Sequence, residues 1–372
     1  HALVVSPPSA WGVDAYLNTV RSLAQIAVPG TSAGGSCESL FLWPQARSSD
    51  GAQSQIEDEF GGGGRVLETN RIDLGDFPSL DRKALIVHAG PGFGKSTLLL
   101  ALSSRLSRTE VVPAIVPLAG LATTGKDVLA YLTTVLNVEF TVALDWEQLS
   151  EDGSVALLFD GLDEVAPDRR AAIIRHLQLF TARFPAAAWM MTVRDPAVIP
   201  AGFDAPKFEI MPLSEDAVKY FVAAWRPDLS AARVAAFIAK MDAHQDLAAL
   251  IRIPLFLSLL LATWDGEAPL PEGRADLIET YLTTLFRPDT HKETPRPADP
   301  DRLRAVTQAL SFDVLERGEI GASERDVRKV MAVHANGGVS ADQLYDDAIR
   351  CGLLRRQGGG RLAFPFPIVQ EY

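Results

Sequence analysis

Ala84-Leu85-Ile86-Val87-His88-Ala89-Gly90-Pro91-Gly92-Phe93-Gly94-Lys95-Ser96-Thr97-Leu98-Leu99-Leu100 joins an apolar run to a glycine-rich turn and then to a helical pattern. Strand, turn and helix in that order make a phosphate cradle. Glycines let successive backbone N–H groups turn inward, and the helix N-terminus adds a positive dipole. Lys95 is placed to reach the β- and γ-phosphates, and the Ser96 hydroxyl to ligate Mg²⁺. Gly90, Pro91, Gly92, Phe93, Gly94, Lys95, Ser96 and Thr97 are therefore candidate nucleotide-binding residues. The loop opens on Ala89 rather than Gly, which the loose form of the pattern allows.

Two further apolar runs end in charge. Val155-Ala156-Leu157-Leu158-Phe159 runs into Asp160, then Gly161-Leu162-Asp163-Glu164. A carboxylate at the carboxyl end of a buried strand can hold Mg²⁺, which makes Asp160 a metal candidate beside Ser96. Asp163 and Glu164 are candidates to orient or deprotonate an attacking water, or else solvated acids favoured at a helix entry. Gly161 stands where many P-loop ATPases carry a Glu directly after the metal Asp, which predicts slow hydrolysis. Trp189-Met190-Met191-Thr192-Val193 leads to Arg194, a fixed fork for a γ-phosphate or the partner of Asp195 in a surface ion pair.

With Val111 to Leu118 and Phe208 to Leu213, these runs predict five strands alternating with amphipathic helices, the texture of a parallel sheet covered on both faces. Ile173, Leu177, Phe180 and Phe184 share one side of the helix between the third and fourth strands. One strand separates the P-loop from Asp160 and another follows it, which fits an additional-strand ATPase better than a GTPase or nucleotide kinase. The fold class is thus α/β, a P-loop NTPase with a five-stranded, mainly parallel sheet.

The 372 residues allow roughly two to three domains. Residues 1–70 read as a linker-like region with one helix, because 22 of the first 64 residues are Ser, Gly or Pro. Val13, Tyr16, Leu17, Val20, Leu23 and Ala24 give the helix its apolar face, and Leu40 to Trp43 suggest a short strand. Residues 71–213 form the NTPase domain and 214–287 a helical lid that opens with Ser214 as N-cap. In 288–372, Pro288 to Pro300 separates three helices and a hairpin, which predict a winged helix. Ser323 with Asp326 and Ser340 with Gln343 read as capping boxes, and Gly352 closes the last helix.

Charge and cysteine usage narrow the function. A net charge of -12 repels polyanions, and residues 300–372 hold 10 Lys or Arg against 10 Asp or Glu, so direct nucleic-acid binding is not expected. Cys37 and Cys351 match no metal spacing and point to a reducing, cytoplasmic setting. No apolar run reaches the roughly 20 residues of a membrane span. His1 in place of Met, with no leader pattern, reads as the start of an excised piece.

From Arg71 on, the chain resembles the NACHT family of STAND NTPases. The P-loop with its Ser-Thr-Leu-Leu tail, the Leu-Leu-Phe-Asp-Gly-Leu-Asp-Glu block and Thr192-Val193-Arg194 are similar to that family's three main motifs in order and spacing. Pro212-Leu213-Ser214-Glu215, Arg252-Ile253-Pro254-Leu255 and Phe364-Pro365-Phe366-Pro367-Ile368-Val369-Gln370-Glu371-Tyr372 continue the likeness. The resemblance implies a proline, Pro254, against the adenine; read alone, Pro254 is an ordinary helix-entry proline. It further implies ATP/ADP and Mg²⁺ as cofactors and slow hydrolysis. It implies a nucleotide-dependent homo-oligomer in signalling of bacterial-defence or innate-immune type, an effector domain before this piece and a sensor after it. Phe366 stands where the family commonly has a phosphate-sensing His, and a packing role is expected for it. The rival expectation is a continuously cycling, remodelling-type ATPase.

Overall fold

The computed structural model describes residues 10–28, 34–49, 71–79, 82–200, 203, 205–264, 270–286, 297–317, 321–335, 338–357, 361–364, 366 and 369–370. The expected Gly61–Gly64 linker, most of the Pro288–Pro300 stretch, the hairpin tip, Pro365, Pro367, Glu371 and Tyr372 lie outside these residues. Two compact units emerge: residues 1–25, 43–90 and 95–211, and residues 26–42, 91–94 and 212–372.

A short ribbon pairs β1, Gln25–Ala27, with β2, Gly34–Ser36. The first unit is built on seven strands: β3 Gln45–Ser48, β4 Arg71–Asp73, β5 Ala84–His88, β6 Val112–Pro117, β7 Val155–Asp160, β8 Ala188–Val193 and β9 Lys207–Ile210. Their order is β4-β3-β9-β5-β8-β7-β6. The five expected strands are present and mutually parallel. The sheet is nevertheless seven-stranded, not five-stranded, because β3 and β4 extend it antiparallel beyond β9. β4 is the edge strand and β3 lies between it and β9; each is short and offers a single apolar residue, Ala46 or Ile72, so neither carries an apolar run for sequence reasoning to find.

The expected strand at Leu40 to Trp43 is absent. Cys37–Leu40 is a helical turn whose N-cap, Ser36, accepts a hydrogen bond from the Ser39 N–H, and the strand follows at Gln45. The early helix is real, Ala10–Leu23, and it is no linker appendage. Tyr16 is buried, its hydroxyl donating to the Pro113 carbonyl at 2.8 Å and its ring standing edge-on to Phe140 and Trp146. Arg21 donates to the Ser107 carbonyl just past the P-loop helix Lys95–Leu106. The crossover helix Pro167–Arg183 buries Ile173, Ile174, Leu177 and Phe180. Each such fully buried side chain contributes about 1.5–3 kcal/mol.

The second unit holds the helices Glu215–Trp225, Ala231–Asp242, Gln245–Leu250, Pro254–Thr263, Arg274–Phe286, Pro300–Glu316, Glu324–His334 and Ala341–Arg350 around one continuous apolar core. Ser214 and Ser340 cap as expected, Ser340 and Gln343 completing a reciprocal box. Three short strands, β10 Ala322–Ser323, β11 Arg355–Gln357 and β12 Arg361–Ala363, form an antiparallel sheet in the order β10-β12-β11. Buried Gln370 ties this end together. Its side-chain oxygen accepts from the Gly321 N–H and its carbonyl from the Ser311 hydroxyl. Phe366 packs on the same core, its ring 6.2 Å from that of Tyr281. No helix among the described residues is long and apolar enough to cross a membrane.

Candidate functional site

The parallel register brings three strand ends to one edge. β5 lies between β9 and β8, and β8 between β5 and β7, with His88 opposite Val193 and Phe159 opposite Met191. Ala89 and the loop after β5, Asp160 at the end of β7 and Arg194 after β8 therefore share the carboxyl edge, where open α/β sheets hold ligands. The Ala89 N–H donates to the Val193 carbonyl at 3.4 Å, fastening the root of the loop to β8.

In the loop, Gly90, Pro91, Gly92, Phe93 and Gly94 are half-buried, and Gly92 and Gly94 adopt φ of 85° and 81°. At Gly92 a Cβ would stand 3.1 Å from Ile253 Cγ2 and 3.2 Å from Leu255 Cβ, and the Leu255 N–H donates to the Gly92 carbonyl at 3.1 Å. Only glycine suits that backbone and that approach. Pro254, between those two neighbours, is the first residue of its helix. Lys95, Ser96 and Thr97 open the P-loop helix. The Lys95 ammonium donates to the carbonyls of Ala89 and Gly90 at 2.7 and 3.1 Å, folded over its own loop. Burial lowers its pKa, with Asp163 pulling the other way.

Asp160 and Asp163 are each gripped from β8. The buried Thr192 hydroxyl donates to Asp160 Oδ1 at 2.7 Å and accepts the Gly161 N–H at 3.0 Å. Asp160 is raised by burial, while its hydrogen bonds with Thr192 and Ser96 work against the rise. Asp163 Oδ1 accepts the Arg194 N–H at 2.8 Å, and Oδ2 pairs with Arg194 Nε at 2.9 Å. Asp163 is thus a partner of Arg194, and Asp195 caps the next turn through the Ala197 N–H. From the far side, Arg170 Nη2 donates to the carbonyls of Asp163 and Val165 at 3.3 and 3.0 Å.

Glu164 closes the group. Gly161 has φ of 70°, and a Cβ there would lie 2.9 Å from the Glu164 carboxyl carbon. The absence of a side chain at 161 is what lets Glu164 fold back over the strand end. Burial first, then Asp160 and Asp163, push Glu164 up to about 8, against the pull of Arg194 and Lys95. Three acidic groups converge here, and a hydroxyl with a carboxylate is a hard-oxygen donor pair. Both features fit Mg²⁺ held at Ser96 and Asp160 and completed by phosphate oxygens. Among the described residues no group of three or more His, Cys, Asp or Glu forms a metal cage.

Sequence reasoning assigned no role to Thr192 or Arg170. Thr192 was visible as a polar residue within an apolar strand, two before the charged end; Arg170 carried no signal, since its targets are backbone carbonyls.

No family model and no curated protein matches the chain. Among solved structures it is similar to a point variant of RuvB from Thermotoga maritima, at 13% identity over 76% of this chain and 85% of that one, with a TM-score of 0.33. It is similar to Cdc6p from Pyrobaculum aerophilum, at 13% identity, 76% and 83% coverage and 0.35. The AAA domain of FIGL-1 in complex with ADP gives 11% identity, 61% and 78% coverage and 0.32. At these values the likeness carries no part of the functional reading. The strand order, the glycine loop and the helix that Lys95 opens make this a P-loop NTPase fold by themselves.

Proposed function

We propose that the chain binds ATP or ADP with Mg²⁺ and works as a nucleotide-controlled oligomerisation switch of the NACHT/STAND kind, with slow ATP hydrolysis. The supporting observation is that its working groups are satisfied among themselves: Arg194 by Asp163, Lys95 by its own loop, and Glu164 by a proton at neutral pH. A base that stays protonated hydrolyses slowly.

Lys95 is the cation for the β- and γ-phosphates, Ser96 and Asp160 hold the Mg²⁺, and the backbone of residues 90–97 cradles the phosphates. Mg²⁺, when bound, supplies charge that neutralises phosphate oxygens. Asp163 and Glu164 orient and deprotonate the water, Arg194 reads the γ-phosphate, and Pro254 lies against the base. The segment 300–372, three helices with an antiparallel sheet of order β10-β12-β11, is read as a winged helix, where Phe366 packs rather than touching phosphate. The resemblance in the motifs supports signalling as the output.

Calorimetric titration of ATP·Mg²⁺ into wild type and Lys95→Ala tests the site: the variant is expected to lose binding by at least tenfold, and equal affinity refutes the assignment. Steady-state turnover without a trigger then separates a switch, which barely turns over, from a remodelling ATPase, which cycles.

A further inference from the structure

We infer that Arg170 is a positioning residue for hydrolysis, holding the turn that carries Asp163 and Glu164 at a fixed height above the end of β7; the inference rests on the ATP-hydrolysing reading of the site.

Within itself the turn makes few hydrogen bonds. Gly161 enters it at φ of 70°, and it is closed by the Glu164 N–H to the Gly161 carbonyl at 3.0 Å and the Val165 N–H to the Leu162 carbonyl at 3.2 Å. Short turns of this kind leave later carbonyls without intrahelical donors. Two of these, on Asp163 and Val165, point to Arg170, and one guanidinium nitrogen serves both. Arg170 itself sits on the crossover helix Pro167–Arg183, whose inner face is buried. It thus links the turn to a rigid element.

The arrangement costs something that packing alone would avoid. Arg170 Nε is buried without a hydrogen-bond partner among the described residues, and such an unmet donor is destabilising; an apolar side chain of similar length would remove that penalty. Asp163 is consequently held at both ends, its carbonyl by Arg170 and its carboxylate by Arg194. When the Arg194 side chain exchanges Asp163 for a γ-phosphate, its backbone N–H still holds Asp163 Oδ1 and Arg170 is what holds the main chain of the turn. Without it the turn would carry both acids out of register with the water, and displacements of about 1 Å cost on the order of a hundredfold in rate.

The test uses Arg170→Met and Arg170→Lys in the whole chain, each measured for ATP·Mg²⁺ affinity, kcat, KM and melting temperature. Arg170→Met is expected to bind ATP within about twofold of wild type, to melt only a few degrees lower because two carbonyls lose their donor while the unmet Nε is removed, and to lose at least tenfold in kcat. Arg170→Lys, which keeps a donor for one carbonyl, should recover part of the loss. Unchanged kcat in Arg170→Met, or a joint fall of kcat, affinity and melting temperature that Arg170→Lys does not repair, overturns the inference. If wild type binds no ATP or does not hydrolyse it, the functional reading has failed instead, and that result is distinct from either outcome.

Discussion

Replacing Glu164 with Gln should stabilise the nucleotide-free protein in a strongly pH-dependent way. The carboxyl is pushed from its ordinary 4.5 to about 8. At about 1.4 kcal/mol per pH unit, ionising it in the empty site costs on the order of 3 to 5 kcal/mol. Below pH 4.5 both the folded and the unfolded chain hold the proton, and there is no penalty. Between 4.5 and 8 the unfolded chain has released it while the folded chain keeps it, so stability falls as pH rises. Above 8 the full cost is reached. Gln has no proton to lose, so comparing it with wild type at each pH reads the Glu164 proton together with the repulsion between it and Asp160. One kcal/mol shifts the melting temperature by about 2–4 °C in a unit of this size. The gap between Glu164→Gln and wild type should therefore open from near zero at pH 4.5 to roughly 10 °C at pH 8.5, read by scanning calorimetry in EDTA without nucleotide. A gap that stays flat across that range would show that Glu164 ionises normally and would remove the reason given for slow hydrolysis.

Thr192→Val keeps the shape but leaves the buried Gly161 N–H without its acceptor and takes from Asp160 one of its donors, at a cost of about 1–3 kcal/mol; Thr192→Ser should restore most of it in urea unfolding. Gly92→Ala puts a Cβ against Ile253 and Leu255 on a backbone at φ of 85°, and calorimetry should show ATP affinity down at least tenfold; unchanged affinity would mean the loop accommodates a side chain and the cradle is loose.

The parts of the site that were legible in the sequence are those that a buried parallel strand writes as an unbroken apolar run ending in charge. Ala84–His88, Val155–Asp160 and Ala188–Val193 are covered on both faces, so each run stood out, and the residues at their ends, Ala89, Asp160 and Arg194, could be placed on one edge. Short outer strands write no such signal. Gln45–Ser48, paired on both flanks, and Arg71–Asp73, at the edge, carry one apolar residue each, and the pairing of Gln45–Ser48 with β9 is decided at long range. Pair identities inside the site were equally hidden. Arg194 had a carboxylate one residue away in Asp195, yet chose Asp163, 31 residues earlier, because parallel register sets β7 beside β8. Asp195 prefers its local turn, as Asp commonly does before Pro.

A site whose groups already satisfy one another also limits what any single contact can do to the switch. Arg194 makes a charge-assisted pair and a backbone hydrogen bond to Asp163, worth about 1.5–3 kcal/mol each in such settings. Trading the carboxylate for a γ-phosphate oxygen forms a contact of the same class as the one it breaks, so the net gain is the small difference between two similar terms. Moving a population from 1:99 to 99:1 takes about 5.5 kcal/mol of differential affinity. The arginine alone falls short of that. The remainder must come from a group whose change is not an exchange of like for like, and one is at hand. Lys95 leaves neutral carbonyls for phosphate charge. On the proposed reading, the trigger of this switch is therefore the arrival of phosphate charge at Lys95, with Arg194 reporting which nucleotide brought it.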